Sequence, residues 1–208
     1  EVALGVPFNK SAGMFIRGNG VLFDNTNRTD VNGNEIGTYS ANSFAAGIGF
    51  YLHAGSFSLG VFGKSIQQKI DLFHSSTAAA DVGIRFRTPL PGVSLGASLL
   101  NAGRPVKFIS QADALPRAVR VGIGYENGFL MIGLDGVQYN DQSAFLAAGA
   151  ELTLFGGLKF RVGYSASSEL QSPFKAGVGV RFSSLDLNYA FNPGDDLGAA
   201  HRVTLTIR

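Results

Sequence analysis

Apolar residues recur at every second position through segment after segment of this chain. Val119, Val121, Ile123 and Tyr125 alternate with Arg120, Gly122, Gly124 and Glu126. Phe174, Ala176, Val178, Val180 and Phe182 alternate with Lys175, Gly177, Gly179 and Arg181. Val82, Ile84 and Phe86 stand against Asp81, Gly83, Arg85 and Arg87, and near the end Val203, Leu205 and Ile207 stand against Arg202, Thr204, Thr206 and Arg208. Successive strand residues point to opposite faces, so each segment predicts a strand with one apolar face and one face of small or charged residues. The three- and four-residue spacing of an amphipathic helix is nowhere sustained.

Extended along the chain, the same pattern predicts strands at 2–8, 13–23, 40–53, 57–70, 78–87, 93–100, 117–126, 129–138, 143–154, 158–165, 174–182, 185–191 and 202–208. The connections alternate in length. Short ones fall at 9–12, 54–56, 88–92, 127–128, 155–157 and 183–184, and longer ones at 24–39, 71–77, 101–116, 139–142, 166–173 and 192–201, with 139–142 no longer than some of the short set but still longer than the two short ones beside it. Short–long alternation is the signature of an up-and-down barrel with tight turns at one rim and loops at the other. A soluble sandwich shares the period-two pattern, because its apolar faces meet in a core. It has no reason to keep the alternation of connection lengths.

Composition sharpens the choice of face. The chain has 28 glycines, 17 phenylalanines, no tryptophan and no cysteine among 208 residues. Glycine costs backbone entropy in a strand, so such an excess implies tight turns or crowded, curved strands. The face opposite the apolar one carries Gly, Ala and Ser with Arg17, Lys64, Asp81, Arg85, Arg87, Arg120, Glu126, Asp135, Glu151, Arg161, Lys175, Arg181, Asp186 and Arg202. In a membrane barrel these would face the lumen, where they can pair, because Arg or Lys facing lipid at mid-depth costs roughly 2–4 kcal/mol. Phe8, Phe23, Tyr125, Phe155, Phe182 and Phe191 sit at strand ends, as interfacial girdles would. A formal net charge of +2 without a run of Lys or Arg gives nucleic-acid binding no support. No apolar run reaches the ~20 residues of a membrane-spanning helix.

Residues 95–122, reading LGASLLNAGRPVKFISQADALPRAVRVG, resemble the PorV/PorQ-like outer-membrane proteins, which look related to the FadL-type transporters. The likeness rests on Asn101, Gly103, Asp113, Leu115 and Pro116 in a strand, Asn-x-Gly turn and Leu-Pro loop. Tyr189, Gly194, Asp196, Leu197, Gly198, His201 and Arg202 are similar to that family's closing hairpin, and residues 34–50 to its early one. The resemblance implies an up-and-down transmembrane β-barrel of about 14 strands in the outer membrane of a Gram-negative-type bacterium. Thirteen strands are legible, and the family's Asn-Pro-Ala-Gly segment and first strand are not found. The expectation is therefore one barrel domain, residues 1–208, lacking its first strand at the N-terminus.

No chemistry-bearing constellation stands out. His53, His74 and His201 are scattered, without a second histidine at ligand spacing. Asp195 and Asp196 follow Pro193-Gly194, as turn chemistry would have them. The Asp24 to Asn34 stretch is rich in cation-ligand types, but its spacing is not that of an EF-hand. No serine has a defensible His/Asp arrangement. The expectation is a non-enzymatic protein without cofactor or metal. The resemblance implies a structural or secretion-associated component that contacts lipid and, through residues 24–39 and 101–116, other envelope proteins. The alternatives are a FadL-like conduit for hydrophobic molecules and, from another class, a soluble or extracellular β-sandwich.

Overall fold

The computed structural model describes residues 1–108, 111–167, 172–194 and 198–207, the side chains of residues 24, 25, 108 and 111 excepted. Strands β1 (Val2–Pro7), β2 (Ala12–Thr29), β3 (Glu35–Ala54), β4 (Phe57–Ile70), β5 (Phe73–Arg87) and β6 (Val93–Gly103) are followed by a small hairpin, β7 (Val106–Phe108) and β8 (Gln111–Asp113). Then come β9 (Ala118–Glu126), β10 (Leu130–Tyr139), β11 (Phe145–Thr153), β12 (Leu158–Ser165), β13 (Phe174–Phe182), β14 (Leu185–Asn192) and β15 (Ala200–Ile207). All except β7 and β8 form one thirteen-stranded sheet whose order follows the chain from β1 to β15. Each strand is thus paired with its neighbour in sequence, as an up-and-down meander requires. The only helical element among the described residues is a single turn, Phe155–Gly157. The chain divides into two compact units, Glu1–Ile84 with Ser98–Arg117, and Arg85–Ala97 with Ala118–Arg208.

The thirteen strands of the sheet are the thirteen that alternation predicts, most within a few residues at each end. The larger differences lie in three of the expected long connections. Residues 24–39 are not a loop: β2 and β3 continue to Thr29 and Glu35, with Thr26 paired to Tyr39, Asn27 to Thr38 and Arg28 to Gly37. Only Asp30 to Asn34 turns the chain. The expected connection 71–77 shrinks to Asp71 and Leu72. Residues 101–116 contain the β7–β8 hairpin. The reason is common to 24–39 and 71–77. A strand wetted on both faces needs no apolar period, so a ladder held by backbone hydrogen bonds leaves no alternation to read.

The second unit's strands β9 to β15 are eight to ten residues long, whereas β2 and β3 have 18 and 20. About 9–11 residues suffice for a tilted strand to cross a hydrocarbon layer. The β2–β3 ribbon is about twice that.

Among the described residues, few apolar side chains are buried. Among the described residues the buried hydrophobics are Ala79, Val106, Leu115, Ala118 and Val137. Large apolar side chains instead stand exposed on one face: Val119, Val121, Ile123, Val178 and Val180 all do, with Val121 at 60%. Register keeps that face continuous between strands, with Ile123 opposite Leu134, Val180 opposite Leu187 and Leu187 opposite Leu205. In the first unit Leu4, Ile16 and Ile48 line up in the same way. The opposite face explains one of the many glycines directly. Phe15 lies across Gly49 and stacks on Phe62 at 5.5 Å, so a Cβ at Gly49 would collide with the Phe15 ring.

Candidate functional site

The face opposite the apolar one is built of ion pairs. In the second unit Asp186, at the start of β14, is 3% exposed. Its carboxylate accepts from Arg181 Nε at 2.9 Å and lies 3.7 Å from the Lys159 ammonium. Lys159, 7% exposed, is 4.0 Å from Glu151, which in turn accepts from Arg161 Nε at 2.5 Å. Arg161 Nη1 donates to Asn188 Oδ1 at 2.8 Å. Five charged groups on β11, β12, β13 and β14 therefore form one chain of alternating sign. The strand register produces it, since Glu151 pairs with Arg161 and Arg181 with Asp186. Farther along, Arg85 lies 3.9 Å from Glu126, and Arg120 Nη2 donates to Tyr139 at 3.3 Å while its buried Nε has no partner among the described residues.

In the first unit Lys64 on β4 donates to both oxygens of Asp81 on β5 at 2.8 Å. The Asp81 carboxylate also accepts from the Asn101 backbone amide at 2.7 Å. Asn101 has a φ of 56°, a left-handed conformation that asparagine tolerates, and its side chain donates to Pro116 O at 2.9 Å. This closes residues 101–116 into a loop at its base. The loop folds over the sheet: Val106 and Leu115 are buried with Ala79, against Ile66, on the face that carries Lys64 and Asp81. Thr77 Oγ1 donates to Arg104 O at 2.8 Å and pins the same segment. Val106 and Leu115 thus anchor the segment on the polar face, while Gly103, Arg104, Pro105 and Pro116 are exposed. Lys107, Ala112, Asp113 and Ala114 are exposed as well.

No family model matches this chain, and no curated protein matches it. Among solved structures it is similar to two engineered forms of the Rh. blastica porin. For one the identity is 9% and the TM-score 0.44, over 93% of this chain and 89% of that one. For the other they are 8% and 0.45, over 94% and 90%.

All fourteen charged residues singled out from the sequence lie, within their own unit, on the face opposite the exposed apolar side chains, as strand parity and register place them. Lys159 belongs to that set and was missed, although it alternates with Leu158 and Phe160 as plainly as Arg161 does with Phe160 and Val162. Asn188 was passed over because an uncharged amide carries no signal of its own. The histidines are not gathered. His53 Nδ1 shares a hydrogen bond with Ser58 Oγ, and His201 Nδ1 shares one with Tyr189 Oη at 2.7 Å. In the Asp24 to Asn34 stretch β2 continues to Thr29, and the rest is a turn in which Asp30 accepts from the Asn32 and Asn34 amides at 2.8 and 2.9 Å. These bonds hold the Asp30 carboxyl below its ordinary pKa, the Asn34 amide contributing most. Asp195, Asp196 and Leu197 lie outside the described residues.

Proposed function

We propose that this protein is a non-enzymatic outer-membrane β-barrel, of the kind the PorV/PorQ resemblance suggests, that serves as a structural or secretion-associated component. The observation that carries the proposal is the exposed apolar face. A soluble sandwich buries such side chains between two sheets, and here they stand in the open over strands of membrane-crossing length. Water would penalise that surface by about 25 cal/mol for each Å² of it, and lipid would not.

The opposite face supports the same reading. Many of its charges are held in opposite-sign pairs, and Val106 and Leu115 of the 101–116 segment lie on it at β4 and β5, which suits a filled interior. The surfaces offered to envelope partners are the β2–β3 ribbon, where the length beyond a membrane crossing is concentrated, and the exposed residues of the 101–116 segment. Single cysteines test the membrane assignment in the protein reconstituted into liposomes. Val121→Cys and Val180→Cys should resist a water-soluble maleimide, and Asn32→Cys at the ribbon tip should react within minutes. Equal rates at Val121 and Asn32 would rule out the membrane reading. For the partner role, removing residues 30–34 should abolish co-purification of another envelope protein while the barrel still folds.

A further inference from the structure

On the apolar face of the first unit the side chains change character along one line. Down β3 that face runs Asn42, Phe44, Ala46, Ile48 and Phe50, and register sets them against Lys69, Gln67, Ser65, Gly63 and Val61 of β4. Above the line it is polar, and below it the residues are small and then large and apolar. At the line itself lies a depression of about 370 Å³ lined by Asn42, Phe44, Gln67, Lys69, His74 and Ser76, among others. That volume is within the range of small-molecule sites, about 300–1,000 Å³.

The lining mixes the Phe44 ring with polar side chains, and two of its polar groups are unengaged. Neither the Lys69 ammonium nor the His74 ring has an ion-pair or hydrogen-bond partner among the described residues, and the nearest acid in sequence, Asp71, is held by Arg28 at 2.6 Å. Asn42 Oδ1 is shut off from solvent and accepts no hydrogen bond among the described residues. Below the depression Gly63 has open space where a side chain would be, and Ala46 and Ser65 flank it, so a furrow leads from polar rim to apolar belt.

We infer that this depression binds the headgroup of an anionic, hydroxyl-bearing lipid of the surrounding leaflet, with an acyl chain lying along the Ala46, Ser65 and Gly63 furrow. Lys69 takes the phosphoryl group, and Gln67, His74, Ser76 and Asn42 supply hydrogen bonds to the rest of the headgroup. The inference rests on the membrane reading above. Its test is native mass spectrometry of the delipidated protein in detergent, titrated separately with phosphatidylglycerol, phosphatidylcholine and inorganic phosphate.

Phosphatidylglycerol should be retained at one molecule per chain in preference to phosphatidylcholine. Lys69→Glu should weaken retention about tenfold, since a favourable charge at the lipid surface becomes an unfavourable one. Asn42→Leu should weaken it without any change of charge, and Lys10→Glu, in the β1–β2 turn, should leave it unaltered. Equal retention by wild type and Lys69→Glu overturns the site, as does equal retention of the two lipids. Competition by inorganic phosphate at similar concentration would make it a free-anion site instead. A protein that stays in buffer without detergent fails the membrane reading itself, before any lipid is added.

Discussion

At the scale of single residues, burial decides which charges matter. Asp186 is nearly inaccessible and holds two cations, whereas Arg181 reaches it from a side chain 41% exposed. Removing one member of a buried pair strands the other, at a cost of about 3–5 kcal/mol, while a half-exposed pair contributes about 1 kcal/mol or less. Asp186→Ala should therefore lower the unfolding free energy by about 3 kcal/mol in urea titrations of the vesicle-embedded protein. Arg181→Ala, at an exposed position, should cost far less. Similar losses in the two variants would show that the buried ammonium of Lys159 does not depend on Asp186. The same scale explains what sequence could and could not reveal. Alternation marks Lys159 and Asp186 as sharing a face, but only strand register brings them to 3.7 Å.

Among the elements, the β2–β3 ribbon departs most from expectation, and its tip carries a titratable switch in miniature. Asp30 accepts from Asn32, Asn34 and the Asn34 side chain, and Gly33 takes a φ of 84° to close the turn. Its folded pKa lies below the ordinary carboxyl value of 3.8. The contribution to order is therefore complete above that value and is lost as pH falls through the lowered one. Amide exchange at Asn32 and Asn34, followed by NMR, should accelerate relative to the strand amides only in that acid range. An Asp30→Ala variant should show the faster exchange at neutral pH as well. Acid-insensitive protection would mean that the backbone bonds alone hold the turn.

For the molecule as a whole, the polar face bears on transport. An open porin leaves a water channel beside its wall side chains and is built from about 16–18 strands. In the first unit Lys64 is paired with Asp81, and Val106 and Leu115 bring a loop down onto the face that carries them; in the second Lys159 is paired with Asp186 and Arg161 with Glu151. On the barrel reading proposed above, these groups fill the interior. The purified protein should then give little or no steady conductance in planar bilayers. A large, stable, salt-dependent conductance would show that the charges line a pore.

Sequence by itself determined the element type, the number of strands in the sheet and the two faces of each strand. Those follow from a period of two, which is local and survives without knowledge of what a strand pairs with. It also located the tight turns, because Asn9, Gly55 and Asn127 act within a few residues of themselves. Tertiary structure decided where β2, β3 and β5 end, since in their outer reaches backbone pairing holds a strand that has no apolar face to announce it. It likewise decided that residues 101–116 fold onto the sheet. Two of their apolar residues, Val106 and Leu115, are nine residues apart in the chain and reach Ala79 and Ile66 only when β4, β5 and the loop have come together. The rim depression belongs to the same class. Asn42, Lys69 and His74 share it because three strands change from apolar to polar at the same height, and height across strands is a property of register alone.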